Sequence, residues 1–239
     1  MRASLLALTL ATGAALLAAA CTITETGNPP AEPSIDVGGV LEKPSVATGE
    51  QIIIEGGQGA ARSAGGTIWI ANLDAETGPH TGAIAEDGSF VVAVVGAFAD
   101  EYRVQTFEAD GTRKYAPVDV VANADGMNVR AAPRPLSTCL TTDPSLALAV
   151  PASGEARTVR AHNGCAGTLV LSAARLRAPA AEYAIDGVLA AELTPGTTAS
   201  IDVRATVPDA KDEILLIEAT DSGSVTDRRP ITLFVAPPP

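Results

Sequence analysis

From Gln51 onward the chain is a succession of short apolar runs, each closed by Gly, Asp, Asn or Pro. The first group is 51–55 (QIIIE), 67–72 (TIWIAN), 90–95 (FVVAVV), 102–108 (YRVQTFE) and 117–121 (PVDVV). The second is 146–150 (LALAV), 156–162 (ARTVRAH), 168–177 (TLVLSAARLR), 200–207 (SIDVRATV), 213–220 (EILLIEAT) and 231–235 (ITLFV). Runs of this length, rich in β-branched residues, are strands; a helix needs a longer amphipathic stretch at a 3.6-residue period. Turn signals separate them: Asp87-Gly88 and Asp110-Gly111, then Asn163-Gly164, Thr194-Pro195-Gly196 and Asp221-Ser222-Gly223, with Asp125-Gly126 closing the first group. The abundant alanines do not change this reading, because the periodicity decides it. An all-β chain of two tandem β-sandwiches is expected. Pro230 is placed just before the last strand, where a missing backbone donor is tolerated. The stretch Gly56-Gly57-Gln58-Gly59-Ala60-Ala61-Arg62-Ser63 lacks the Gly-Lys-Ser/Thr ending of a phosphate loop and reads as a flexible hairpin loop.

Ahead of these strands the composition changes. Met1-Arg2 supplies one charge, residues 3–20 contain no ionisable side chain, and Ala18-Ala19-Ala20 leads directly into Cys21. A charged start, an apolar middle and a small-residue end form an export signal. Two other readings of the segment are a plain secretory signal with an incidental cysteine and a permanent membrane anchor. An apolar run of about 18 alanine-rich residues is marginal for a span. Residues 22–33 (TITETGNPPAEP) are polar and proline-rich, a composition that stays extended. The expected organisation is a signal peptide over 1–20, a tether over 21–33, one sandwich over 34–133 and a second over 134–236. Ala131-Ala132-Pro133-Arg134-Pro135 is the short stiff hinge between them.

Ala18-Ala19-Ala20-Cys21 resembles the bacterial lipobox, with Ala18 where the family usually has Leu. The resemblance implies cleavage after Ala20, a diacylglycerol on the Cys21 thiol and an acylated amino group. Several acyl chains make a durable anchor, at about 0.8 kcal/mol per buried methylene. Thr22 after the cysteine, by the same resemblance, implies the outer membrane. The stretch Ala47-Thr48-Gly49-Glu50, Thr67-Ile68-Trp69-Ile70, Glu86-Asp87-Gly88-Ser89-Phe90, Tyr102-Arg103-Val104, Ala109-Asp110-Gly111 and Ala116-Pro117-Val118 resembles bacterial Ig-like domains of surface proteins. These serve as spacers or adhesive modules. The second half resembles the Ig-like domains of the ASPM/SPD-2/Hydin group, related in shape to major-sperm-protein and pilus-chaperone domains. The carrying residues are Thr158-Val159 through Asn163-Gly164, Gly167 to Leu171, Leu193-Thr194-Pro195-Gly196, Ala199 to Val203 and Ile214 to Ile217. Tyr183 alone represents that group's middle-strand aromatics. The group implies interaction or scaffold modules without enzymatic activity.

Once Cys21 is lipidated, Cys139 and Cys165 remain, an even pair in an oxidising compartment, and a disulfide between them is expected. It would close a loop of about 27 residues and add roughly 3 kcal/mol. Trp69 is the other residue that stands out. In 67–72 Ile68 and Ile70 share one face and Trp69 the other. With the isoleucines inward, Trp69 is an outward aromatic able to make a surface contact with a partner. With the strand flipped by one residue, Trp69 is the core aromatic of the sandwich.

Acidic residues outnumber basic ones 28 to 16, for a net charge of −12, and no basic cluster exists, so nucleic acid is not an expected partner. Two histidines and three cysteines leave little for a zinc cage or a histidine-based catalyst. His80 follows Gly78-Pro79 in what reads as a turn, and His162 ends a strand. Neither belongs to H-E-x-x-H, and no G-x-S-x-G elbow is present. Acidic turns at Glu86-Asp87-Gly88, Glu108-Ala109-Asp110-Gly111 and Asn123-Ala124-Asp125-Gly126 offer calcium oxygens without completing an EF-hand loop. No cofactor, no metal and no catalytic residue are therefore expected. The leading expectation is a non-catalytic, lipid-anchored protein of the bacterial cell envelope. Its partners would be membrane lipid, through the acyl chains, and an envelope protein or glycan. A calcium- or carbohydrate-binding adhesin and an envelope hydrolase with a site assembled in space are the alternatives.

Overall fold

Alternating and unbroken burial divide the strands into two kinds, and that division explains the architecture. The computed structural model describes residues 32–44, 51–123, 128–178, 182–187 and 191–236. Cys21, the expected signal peptide, residues 22–31 of the tether and the Ala124-Asp125-Gly126 turn lie outside the described residues. The first half contains β1 (Val40–Pro44), β2 (Gln51–Gly56), β3 (Thr67–Asn72), β4 (His80–Ala83), β5 (Phe90–Val95), β6 (Glu101–Phe107), β7 (Val118–Ala122) and β8 (Val129–Ala131). The second contains β9 (Leu140–Asp143), β10 (Ala147–Val150), β11 (Arg157–Asn163), β12 (Leu169–Leu176), β13 (Tyr183–Gly187), β14 (Ala191–Leu193), β15 (Thr198–Ala205), β16 (Glu213–Asp221) and β17 (Thr226–Val235). The chain is all-β. The helical content among the described residues is a single 3₁₀ turn, Val37–Gly39, capped by the Asp36 carboxylate on the Gly38 N–H.

The described residues form four sheets: β1-β2-β5, β4-β3-β6-β7-β8, β10-β17-β16-β12-β14 and β13-β15-β11-β9. In β5, Phe90, Val92 and Val94 are buried while Val91 and Ala93 face solvent, and β15 alternates in the same way through Ala199, Ile201, Val203 and Ala205. Such strands cover a core with one face only. In the first half, Ile52, Ile54, Phe90, Val92 and Val94 pack on Ile68, Ile70, Tyr102, Val104 and Val120. In the second, Val159, Ala161, Ile201 and Val203 pack on Leu169, Leu171, Leu215, Ile217, Ile231 and Leu233. By contrast β3, β6 and β16 are buried along nearly their whole length on both faces. Their second faces meet each other. Trp69, Ala71 and Leu73 of the first half close on Ile214 and Leu216 of the second, with Phe107 packed alongside. Residues Ala31–Pro239 thus make one compact unit.

Every apolar run named above is a strand, within one to five residues at its ends. Six further strands are short or lack a periodic apolar pattern. β9 (LTTD) and β4 (HTGA) contain one large apolar residue between them. His80 therefore opens a strand and does not sit in a turn. The loop after β2 is not a hairpin: β2 pairs with β5 and β3 with β6, so it crosses between sheets. It is also tied down, with the Gly59 N–H donating to Asp87 O, the Ala61 N–H to Gly88 O and the Arg62 N–H to Ser34 O. Pro230 lies inside β17, opposite Leu216, because that strand begins at Thr226. There β10 has already ended its pairing with β17, at Thr232, so the sheet tolerates the missing donor.

Two glycines answer steric needs. Gly88 takes φ +82° in the turn into β5, where Asp87 accepts from the Ser89 N–H. Gly82 lets β4 lie against β5, since a Cβ there would stand 2.7 Å from Val92 Cγ2. Beside it the Val95 N–H, on the outer edge of β5, donates to His80 Nε2 at 3.2 Å.

Candidate functional site

The polar side chains of the seam between the five-stranded sheets form one larger network and two smaller pairs around the apolar strip. Arg103 projects from β6 on the face opposite Tyr102 and Val104 and is 1% exposed. Its Nε and Nη2 grip the Asp119 carboxylate at 2.7 and 2.8 Å, and Nη1 donates across the seam to Leu146 O and Thr232 Oγ1. Arg134 joins the same carboxylate through Nη2 at 2.6 Å and reaches Glu101 through Nη1. From β17, Arg228 donates to Glu101 Oε2, Asp74 Oδ1 and Leu73 O. Arg177 donates to Ala75 O and Thr77 O and pairs with Glu213. Arg113 lies between the Phe107 and Phe234 rings, at 4.5 and 4.4 Å, and pairs with Asp212.

Each guanidinium crosses from one half to the other or, as with Arg134, fastens the connecting segment. The segment 131–135, expected as a hinge, is pinned by Arg134 and by the Ala132 N–H on Asp119 O. Burial alone would raise the Asp119 carboxyl, but Arg103 and Arg134 hold it below the usual carboxylate range. Burial works against the Arg134 charge, yet Asp119 and Glu101 raise its affinity for the proton. Glu213 goes the other way: burial pushes it up, only partly offset by the Ile214 N–H and by Arg177. Buried ion pairs of this kind contribute little net stability, but removing one partner costs several kcal/mol. Beside Arg103 and Asp119 the seam opens into a cleft of about 240 Å³.

Trp69 is 5% exposed and sits in the seam. Ile68 and Ile70 do face the core of the first half, so Trp69 points away from it, but the other half of the same chain covers it. It is neither a free surface contact nor the core aromatic. Cys139 and Cys165 form a disulfide, Cα atoms 4.6 Å apart, that ties the residue before β9 to the turn after β11. The buried Asn163 supports this corner by accepting the Cys165 N–H and donating to Leu193 O and Gly167 O.

The acidic turns are engaged locally. The Ser89 hydroxyl and N–H hold the Asp87 carboxyl below its ordinary range, and Thr112 does the same for Asp110. Among the described residues no group of three His, Cys, Asp or Glu gathers as a metal site. His162 contacts Thr198 Oγ1. Sequence reasoning did not single out the arginines. Arg103 and Gln105 alternate with apolar residues as solvent-facing side chains do, and no local pattern names the strand that covers them.

No protein-family model matches the chain, and comparison with curated proteins finds no match. Solved structures give distant likenesses. An MSP family member of C. elegans shares 13% identity, covering 41% of this chain and 98% of its own, at a TM-score of 0.35. A protein of unknown function from Porphyromonas gingivalis shares 10%, covering 84% and 98%, at 0.30. The VesB protease of Vibrio cholerae shares 11%, covering 71% and 62%, at 0.32. None is similar enough to carry a fold family or a role to this chain.

Proposed function

We propose that the chain is a non-catalytic, lipid-anchored protein of the bacterial cell envelope. Two tandem Ig-like sandwiches, 34–133 and 134–236, act in it as one interaction, adhesion or structural module. The observation that carries the module reading is the seam. Five arginines and their carboxylates hold the two halves at one angle, and that rigidity suits a spacer or a scaffold that presents surfaces at a set distance. The anchor reading rests on the apolar run that ends at Ala18-Ala19-Ala20-Cys21. Thr22 favours the outer membrane, and the disulfide is of the kind found in exported proteins. Partners in this reading are membrane lipid and an envelope protein or glycan. The adhesin alternative loses its aromatic candidate, because Trp69 is covered by Ile214 and Leu216.

The test is Cys21→Ser in the native host, with fatty-acid labelling and fractionation. The variant should lose the label and leave the membrane fraction. Continued membrane association with the N-terminal segment still attached would replace the lipid anchor with an apolar helix.

A further inference from the structure

We propose that the outer face of the β1-β2-β5 sheet rests on the surface of the lipid bilayer, beside the anchor. This rests on the lipid-anchor reading above. The sheets β1-β2-β5 and β13-β15-β11-β9 each bury one face in a core and turn the other outward, yet the two outer faces differ in chemistry. On β13-β15-β11-β9 the outward side chains include Asp143, Arg160, Asp186, Asp202 and Arg204, with Arg160 paired to Asp143 and Arg204 to Asp186. That is the ordinary polar outside of a half-buried antiparallel sheet. On β1-β2-β5 the outside is largely apolar. Leu41 is 41% and Val91 61% exposed, Ala93 is exposed and Ile53 is half-buried. The register sets Ile53 beside Ala93 and places Leu41 and Val91 on either side of Glu55. Along β2 and β5 Glu55 is the one ionisable residue. A contiguous apolar face of this kind marks a surface that meets something other than water.

What it meets follows from where the chain enters the sheet. The stretch after Glu32 is strapped to the first half: the Ala116 N–H donates to Glu32 O, the Ser34 N–H to Ala116 O and the Asp36 N–H to Ala60 O. It then runs through the Val37–Gly39 turn into β1, an edge strand of the apolar sheet. Cys21 precedes Glu32 by 32 − 21 = 11 residues. The acyl chains are therefore held within about 40 Å of the strap, at about 3.3–3.6 Å per extended residue. The anchor leads directly into the apolar sheet, while the charged outer sheet lies beyond the seam, in the other half. Leu, Ile and Val side chains gain by entering the boundary between headgroups and acyl chains. A net charge of −12 disfavours anionic lipid, so a zwitterionic surface fits best.

The test uses the full chain made in its host, purified and reconstituted into phosphatidylethanolamine–phosphatidylcholine vesicles. Val91→Cys carries an environment-sensitive fluorophore, and Ser200→Cys, on the outer face of β15, carries it in the comparison protein. Cys139 and Cys165 are bonded to each other and Cys21 is acylated on this reading, so the added thiol takes the label. A face seated about 5–10 Å into the headgroup boundary should give blue-shifted emission at position 91, quenched by spin-labelled lipid, with neither effect at position 200. Adding Ala93→Glu to Val91→Cys should reverse both effects. Mass spectrometry of the same sample reads the acyl groups on Cys21 separately. Acylated protein with no quenching at position 91, with equal quenching at position 200, or with a signal unchanged by Ala93→Glu overturns this proposal and leaves the anchor standing. Blue-shifted emission without lipid quenching means that protein covers the face, and overturns it too. Absence of acyl mass overturns the anchor, and this proposal with it.

Discussion

Replacing Trp69 with alanine should cost about 3–5 kcal/mol of unfolding free energy, the range for deleting a large buried aromatic. A buried aromatic removes roughly 150–250 Å² from water, worth about 4–6 kcal/mol at about 25 cal/mol/Å². Alanine retains part of that, and the space left between β3 and β16 adds a penalty because neither sheet can move without breaking the arginine contacts. Urea unfolding followed by far-ultraviolet circular dichroism measures the loss. Trp69 is the sole tryptophan, so wild-type emission reports the seam alone. It should be blue-shifted and resist acrylamide, and Leu216→Ala should shift it red. Pairing Trp69→Ala with Leu216→Ala should show a coupling of at least about 0.5 kcal/mol, as contacting residues do. A loss below about 1 kcal/mol at unchanged denaturant slope, or red-shifted and easily quenched emission, would refute a closed seam.

Two other outcomes follow from the same structure. Converting Cys139 and Cys165 together to alanine should lower stability by about 3 kcal/mol, the loop-closure value for their 26-residue separation, with denaturant midpoints as the readout. Asp119, whose carboxyl is held low in the folded state, stabilises fully above its unfolded value of about 3.9 and loses that contribution as the pH falls through its lower folded value. Asp119→Asn should therefore cost about 3–5 kcal/mol at neutral pH and flatten the acid limb of a stability profile taken below about pH 4.

SIDVRATV carries its orientation in its own letters because its alternate residues are polar, whereas FVVAVV is apolar throughout and showed only that it is a strand. Residues 102–108 (YRVQTFE) read only as a strand, and Arg103 within it is among the most buried side chains of the described residues. Arg103 points away from the core that Tyr102 and Val104 face. What covers it is Thr232 of β17, 129 residues later, together with the Leu146 carbonyl, and periodicity is blind to such separations. The disulfide was legible from cysteine arithmetic, whereas Asn163, which braces it, read only as part of an Asn-Gly turn. The short strands at the sheet edges were missed for a different reason. Val129–Ala131 and Ala191–Leu193 owe their form to the strands beside them, since three residues hold no period of their own.

An open sheet edge is a place where a second molecule can add a strand, and β5, with Val91 and Ala93 facing solvent, is the kind of strand that recruits one. Here β4 folds over that edge, close enough that only glycine fits at position 82, and the imidazole of His80 holds the Val95 N–H. A foreign strand would have to displace both before it could register on β5. The weakly patterned HTGA segment thus occupies the edge of β5, by fit and a single acceptor and not by apolar bulk.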